Sequence, residues 1–206
     1  MHALRIGGIA LLGLTLAATA SADRLLFTPT GSKIRRDTAR FELFSVPSRD
    51  HAFGWVGYGL GTWWEVELAG ESLDADKITW SGNLAYNFSQ PILDTAPGIS
   101  IGVLDLGNDS SDGRALYAAF TFWLGNEGTF NQQVPTRFTI GFWSRETGAA
   151  FANVRLPFTE WFGLMAEHDS RRITAGFELS PISDASFRVL WRGGDPGIGL
   201  TFRRRF

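Results

Sequence analysis

From residue 38 to the end of the chain, hydrophobic and polar positions alternate with a period of two. In 78–88, Ile78, Trp80, Leu84, Tyr86 and Phe88 fall on one face, and Thr79, Ser81, Asn83, Ala85 and Asn87 on the other. In 115–125 the apolar face is Leu116, Ala118, Phe120, Phe122 and Leu124. In 172–180, Ile173, Ala175, Phe177 and Leu179 oppose Thr174, Gly176 and Glu178, and in 185–192, Phe187, Val189 and Trp191 oppose Arg188 and Arg192. Successive side chains of a strand point to opposite sides, so this is the pattern of strands with one apolar face. Twelve strands are predicted: 38–46, 52–60, 62–70, 78–88, 98–106, 115–125, 136–144, 149–157, 160–168, 172–180, 185–192 and 197–206. Most have the length that a tilted strand needs to cross a bilayer, about 9–11 residues.

Residues 23–37 lack the alternation and are expected to form an N-terminal arm, with Gly31-Ser32 and the charged run from Lys33 to Asp37 as loop. Residues 1–22 have the form of a cleaved signal peptide: a short positive start at Arg5, an apolar run from Ile6 to Ala18 and the small residues Ala20-Ser21-Ala22. The apolar run is too short for a spanning helix, which needs about 20 residues. The expected organisation is signal peptide 1–22, arm 23–37 and barrel 38–206.

Alternation alone does not say whether the apolar face points into a soluble sandwich or out into lipid. Three features favour lipid. The opposite face mixes paired charges with Gly, Ala, Ser and Thr. The apolar face is bulky in nearly every strand, and the 8 Trp and 17 Phe suit interfacial girdles better than one small core. The last strand alternates Ile198, Leu200 and Phe202 and closes on Phe206, with Arg204 at the rim, where its stem can snorkel. Phe202 and Phe206 resemble the C-terminal signal by which bacterial outer-membrane barrels reach their assembly machinery. The fold expected is all-β, a closed antiparallel transmembrane barrel of about 12 strands (range 10–12), in the outer membrane and in contact with membrane lipid.

The charge balance points away from nucleic acid. Cleavage would leave 18 basic side chains against 21 acidic ones, a net charge near −3, and no basic stripe stands out. There is no cysteine, no HExxH and no phosphate-binding glycine motif, so nothing calls for a metal or other cofactor. The acidic run GNDSSDG (107–113) lacks the spacing of a calcium loop and reads as a solvated turn. A lipid-modifying enzyme would need a Ser/His pair. His168-Asp169-Ser170 is contiguous, but adjacent residues on a strand point opposite ways, and no catalytic residue is assigned.

The chemistry lies on the face expected to line the lumen. It carries Arg40, Glu42, Glu65, Glu67, Arg155, Glu167, Glu178, Arg188, Arg192, Arg203 and Arg205. Closure would bring Glu178, Arg188, Arg203 and Glu42 into an alternating ladder, and Glu167 is expected to pair with an arginine such as Arg155. Such a face is either a polar conduit or a filling of mutually paired charges. Barrels of about 8 strands are filled and those of 16 leave a channel, so twelve leaves both open.

The segments PGISIGVLDLG (97–107), VRLPFTEWFGLMAEHDSRRITAGFEL (154–179) and the closing IGLTFRRRF, with the Tyr117 strand between, resemble the YjbH-like outer-membrane barrel proteins associated with exopolysaccharide production. His168 stands where that pattern has Tyr. The resemblance implies a non-enzymatic barrel that serves as a small pore or as an accessory of surface-polysaccharide export, with polysaccharide or export components as partners. A sealed structural barrel is the alternative.

Overall fold

The computed structural model describes residues 24–32, 34–49, 51–74, 77–110, 112–125, 134–145 and 148–206; the expected signal segment and Asp23 lie outside them. Twelve strands follow in order: β1 (Thr38–Val46), β2 (His51–Leu60), β3 (Trp64–Asp74), β4 (Lys77–Ser89), β5 (Gly98–Leu104), β6 (Ala115–Leu124), β7 (Thr136–Arg145), β8 (Gly148–Pro157), β9 (Phe162–His168), β10 (Ile173–Ile182), β11 (Ala185–Arg192) and β12 (Asp195–Arg205). Each pairs antiparallel with its sequence neighbour, and β1 closes the ring on β12. Closure leaves no edge with unpaired backbone groups. Among the described residues the only helical element is a 3-10 turn at Pro47–Arg49.

All twelve predicted runs are strands, with boundaries shifted by up to four residues, and two of these shifts have a plain cause. The third strand runs on from residue 70 to Asp74, because the ladder continues through Glu71↔Thr79 and Ser72↔Ile78. Residues 71–74, which fall between two of the predicted runs, are therefore strand. Polar residues beyond the apolar band still satisfy their backbone by pairing. The fifth strand stops at Leu104, since Asp105 takes a left-handed conformation (φ 54°) that turns the chain away.

The bulky face points outwards. Leu116 and Ile173 are 61% and 63% exposed, whereas Glu42 and Arg188 are 1% and 3%. The alternation is thus inside-out relative to a soluble β-sandwich. The inner face is less purely charged than the strand pattern predicts. Trp55, Phe44, Val46, Tyr117, Trp143, Phe151, Met165 and Leu190 also point inwards and are buried. Most of them gather in two clusters, one of Tyr117, Trp143 and Phe151 with small wall residues, the other of Phe44, Val46, Met165 and Leu190 with Leu25 and Leu26 of the arm. Gly141 makes the first possible: a Cβ there would run into the Phe151 ring.

Candidate functional site: a lumen occupied by the N-terminal arm

The arm does not trail outside the barrel. It passes inwards from the start of β1 and folds back in a tight hairpin with Arg24 bridged to Pro29 and the Leu25 N–H donating to the Thr28 carbonyl at 3.2 Å. The wall holds it from many sides. Glu65 of β3 accepts the Ile34 N–H (2.7 Å), Ser100 of β5 donates to the Thr30 carbonyl (2.8 Å), and Thr121 of β6 accepts the Gly31 N–H (2.7 Å). Asn153 of β8 donates to the Thr28 hydroxyl at 2.8 Å. Glu167 of β9 accepts the Thr28 hydroxyl (2.9 Å) and the Phe27 and Thr28 N–H groups (3.2 and 3.3 Å). Arg188 of β11 donates to the Leu25 carbonyl at 2.9 Å. Arg24 closes the set with an ion pair to Glu67 at 2.6 Å, and Glu67 also accepts from Asn83. A strand-less segment inside a barrel must satisfy its backbone on the wall, and these side chains do that.

Packing fixes the hairpin tip. The Phe27 ring meets Phe44 edge-on at 5.5 Å and Phe53 at 5.2 Å, with the Arg192 guanidinium 3.7 Å above it. Ring contacts and a desolvated cation over a ring each contribute about 0.5–2 kcal/mol. Gly31 lies directly against Gly98: a Cβ on either would strike the other's carbonyl, so no other residue fits without moving the arm. What remains of the lumen is a cavity of about 490 Å³ at the end where β1 starts and β12 finishes, and about 80 Å³ at the opposite end. Arg24 lines both and marks the constriction.

Three of the four residues of the predicted ladder, Glu178, Arg188 and Glu42, form a chain of ion pairs that Arg155 and Arg40 extend at its two ends. Arg155 reaches Glu178 (2.7 Å), Glu178 accepts from Arg188 (2.9 Å), Arg188 reaches Glu42 (2.5 Å), and Glu42 accepts from Arg40 (3.0 Å). Arg203 does not stand beside Arg188. The residue of β12 between Arg188 and β1 is Gly199, and Arg188 spans the gap that its missing side chain leaves. Arg203 instead lies directly opposite Arg40 near the mouth. Arg155 pairs with Glu178, not with Glu167, whose carboxylate holds the arm. Arg192 donates to Asp169 at 3.0 Å, and Arg205 is exposed at the end of β12. Phe202 and Phe206 are exposed on the outer side.

The charged set omitted Arg137, and reading charges alone missed Thr121, Thr139 and Asn153, all lining the same space on the inward parity of their strands. The parity rule could have found them. Ser170 does not join His168: its hydroxyl donates to the Ala150 carbonyl and accepts from the Trp143 indole at 3.1 Å.

At the opposite end the acidic loops pair with basic ones. Asp112 takes Arg145 at 3.1 Å and Arg171 at 2.6 Å. Burial alone would raise the Asp105 carboxyl, but hydrogen bonds from the Ser110 hydroxyl and from the Ser110, Asp109 and Asn108 N–H groups outweigh it and hold it below its ordinary value. A carboxyl lowered by folding stabilises fully above its unfolded value, and that contribution is lost as the pH falls through the folded one. Amide exchange of Asp109 and Ser110, taken relative to the intrinsic rate at each pH, is therefore expected to stay slow at neutral pH and to quicken in acid below the ordinary carboxylate range. Asp105→Ala should show the fast exchange already at pH 7; unchanged protection in that variant would contradict the capping role.

No family model and no curated protein matches the sequence. Among solved structures the chain is similar to a NanC porin. Identity is 10% and the TM-score 0.48, over 82% of this chain and 98% of that one. At that identity no site residue carries over.

Proposed function

We propose that the protein is a bacterial outer-membrane channel held shut by its own N-terminal arm. The observation that carries the reading is the arm itself, docked on polar groups of the wall inside a closed ring whose outer face is apolar. An apolar outer band around a polar interior suits lipid outside and water within. The end where β1 starts and β12 finishes then faces the periplasm, and the loops with Asp105 and Asp112 face outwards. The docking relies on hydrogen bonds more than on a continuous apolar core, which favours a segment that can leave. Membership of the YjbH-like group, with an accessory role in polysaccharide export, is a proposal that rests on the shared motifs alone.

The chain contains no cysteine, so Thr28→Cys gives a single reporter at a fully buried position of the arm. In proteoliposomes a membrane-impermeant thiol reagent is expected to label it slowly, at the rate at which the arm undocks. Glu167→Ala removes the acceptor of the backbone N–H groups at positions 27 and 28. Added to the reporter variant, it should raise that rate by about tenfold or more, since a hydrogen bond to a charged group is worth about 1.5–3 kcal/mol. A folded barrel whose introduced thiol is never labelled, with Glu167 present or replaced, would contradict the gated channel and leave the sealed structural barrel.

A further inference from the structure

We propose that Arg192 is a two-position latch on the arm: paired with Asp169 it holds the arm docked, and paired with Glu167 it releases it. The inference rests on the channel reading, for which it supplies the regulation.

In the docked state Arg192 does two things at once. It donates to Asp169 at 3.0 Å, and its guanidinium lies 3.7 Å over the Phe27 ring at the hairpin tip. Glu167 meanwhile holds the backbone of that tip. Its donors are the Phe27 and Thr28 N–H groups and the Thr28 hydroxyl, and among the described residues no arginine forms an ion pair with it. One guanidinium therefore stands near two carboxylates and is bound to the one that does not carry the arm.

The register puts the second position within reach. Arg192 of β11 is directly opposite Thr174 of β10, and Thr174 is directly opposite Glu167 of β9, so the three form one row across the wall. Neighbouring strands lie about 4.7–4.9 Å apart, which separates the outer two by roughly 10 Å of backbone, a gap that two long side chains close. The fork already leans that way, with Nη1 donating to the Thr174 hydroxyl at 3.4 Å. Arg188 makes such a span elsewhere in the barrel, crossing β12 to reach Glu42 of β1. A buried carboxylate that takes up an arginine gains a charge-assisted pair, and the oxygens so occupied are lost to the Phe27 and Thr28 N–H groups. The cation leaves the Phe27 ring in the same movement. The latch is thus one element with two arrangements, which is what coupling between distant sites requires.

It is also reached from the far end of the barrel. Oδ1 of Asp169 accepts the N–H groups of Arg171 and Arg172 at 3.0 and 2.7 Å and so fixes the β9–β10 turn, and Arg171 pairs with Asp112 at 2.6 Å. A pull on this exposed turn takes Asp169 from Arg192 and acts on the arm without touching it.

The test is amide exchange of the full chain in lipid nanodiscs at one pH, read by NMR at Phe27 and Thr28 and along β9 and β10. Asp169→Asn keeps Oδ1 as the acceptor for the turn and loses the charge that holds Arg192. It is expected to speed exchange at Phe27 and Thr28 by about tenfold or more, the effect of losing a hydrogen bond to a charged group, with β9 and β10 unchanged. Adding Arg192→Met should reverse most of that gain, because no cation is then left to take Glu167 and a thioether still packs against Phe27. A structural role for the pair predicts the opposite, a second loss on top of the first. The double variant leaves neither charge unpaired, so it keeps the test usable if Asp169→Asn folds poorly: arm exchange close to the parent's is expected of it. Unchanged exchange in Asp169→Asn, or an arm that exchanges about tenfold faster than the parent's in the double variant, overturns the latch and leaves the channel. A parent arm that exchanges only together with the strands never leaves the wall by itself, and the channel reading and the latch then fall together.

Discussion

Glu178→Ala is expected to cost the folded barrel about 3–5 kcal/mol, the range for stripping one partner from a buried ion pair. Its carboxylate lies between Arg155 and Arg188, both within 2.9 Å. Without it, three arginines of the ladder face the single carboxylate of Glu42, next to a cavity already rich in arginine. Arg188→Met is the informative contrast. It removes the most connected member, yet it leaves two neutral pairs, Arg155 with Glu178 and Arg40 with Glu42. Its cost should be smaller, about 1–3 kcal/mol for the lost hydrogen bonds. Urea titrations of the two variants in the same lipid, followed by tryptophan fluorescence with unchanged slopes, measure the order. An Arg188→Met barrel that is less stable than Glu178→Ala would mean that the wall carries no excess of positive charge.

The strands were legible because each has one bulky face and a period of two; that alone placed all twelve. The direction of that face was a separate inference. Alternation is symmetric between inside and outside; the charged and small residues of the opposite face, the bulk of the apolar one and the closing Phe206 gave the direction, and the exposure of Leu116 and Ile173 agrees with it. Parity also placed Glu42, Glu178 and Arg188 on the inner wall correctly. Register was not legible. Whether Arg203 or Gly199 meets Arg188 depends on how β12 is staggered against its neighbours, and stagger in a barrel is fixed by closure of the whole ring. The pairing of Glu167 failed for another reason. Its partner is backbone of the arm, and backbone donors leave no trace in side-chain patterns. Residues 23–37 were read as an arm outside the strand pattern because they have no strand period, and nothing in that reading placed the arm in the lumen. The cue that was present is Leu25-Leu26-Phe27, three consecutive apolar residues that a solvated loop has no use for.

Deleting residues 24–32 is expected to turn a nearly silent barrel into a conducting one in planar bilayers. The segment fills the space between the two remaining cavities, and its removal takes Arg24 from the constriction and strips the arm's contacts from Glu67, Thr121, Asn153 and Glu167. A ring of twelve strands lies between the sizes that are filled by their own side chains and those that conduct. The inner aromatic cluster of Tyr117, Trp143 and Phe151 narrows one side only, so the arm is the larger obstacle. Removal also strips Leu25 and Leu26 from Phe44, Val46, Met165 and Leu190, so some loss of stability will accompany the gain in conductance. A milder variant separates the two effects: Glu167→Ala keeps the arm's length and its apolar contacts while removing its principal acceptor, and should give brief openings of the size seen in the deletion. Equal openings in the two variants, frequent in one and rare in the other, are what a docked and releasable plug produces. A deletion variant that folds, inserts and stays silent would show that the wall side chains close the lumen unaided, and the arm would then be a structural strut.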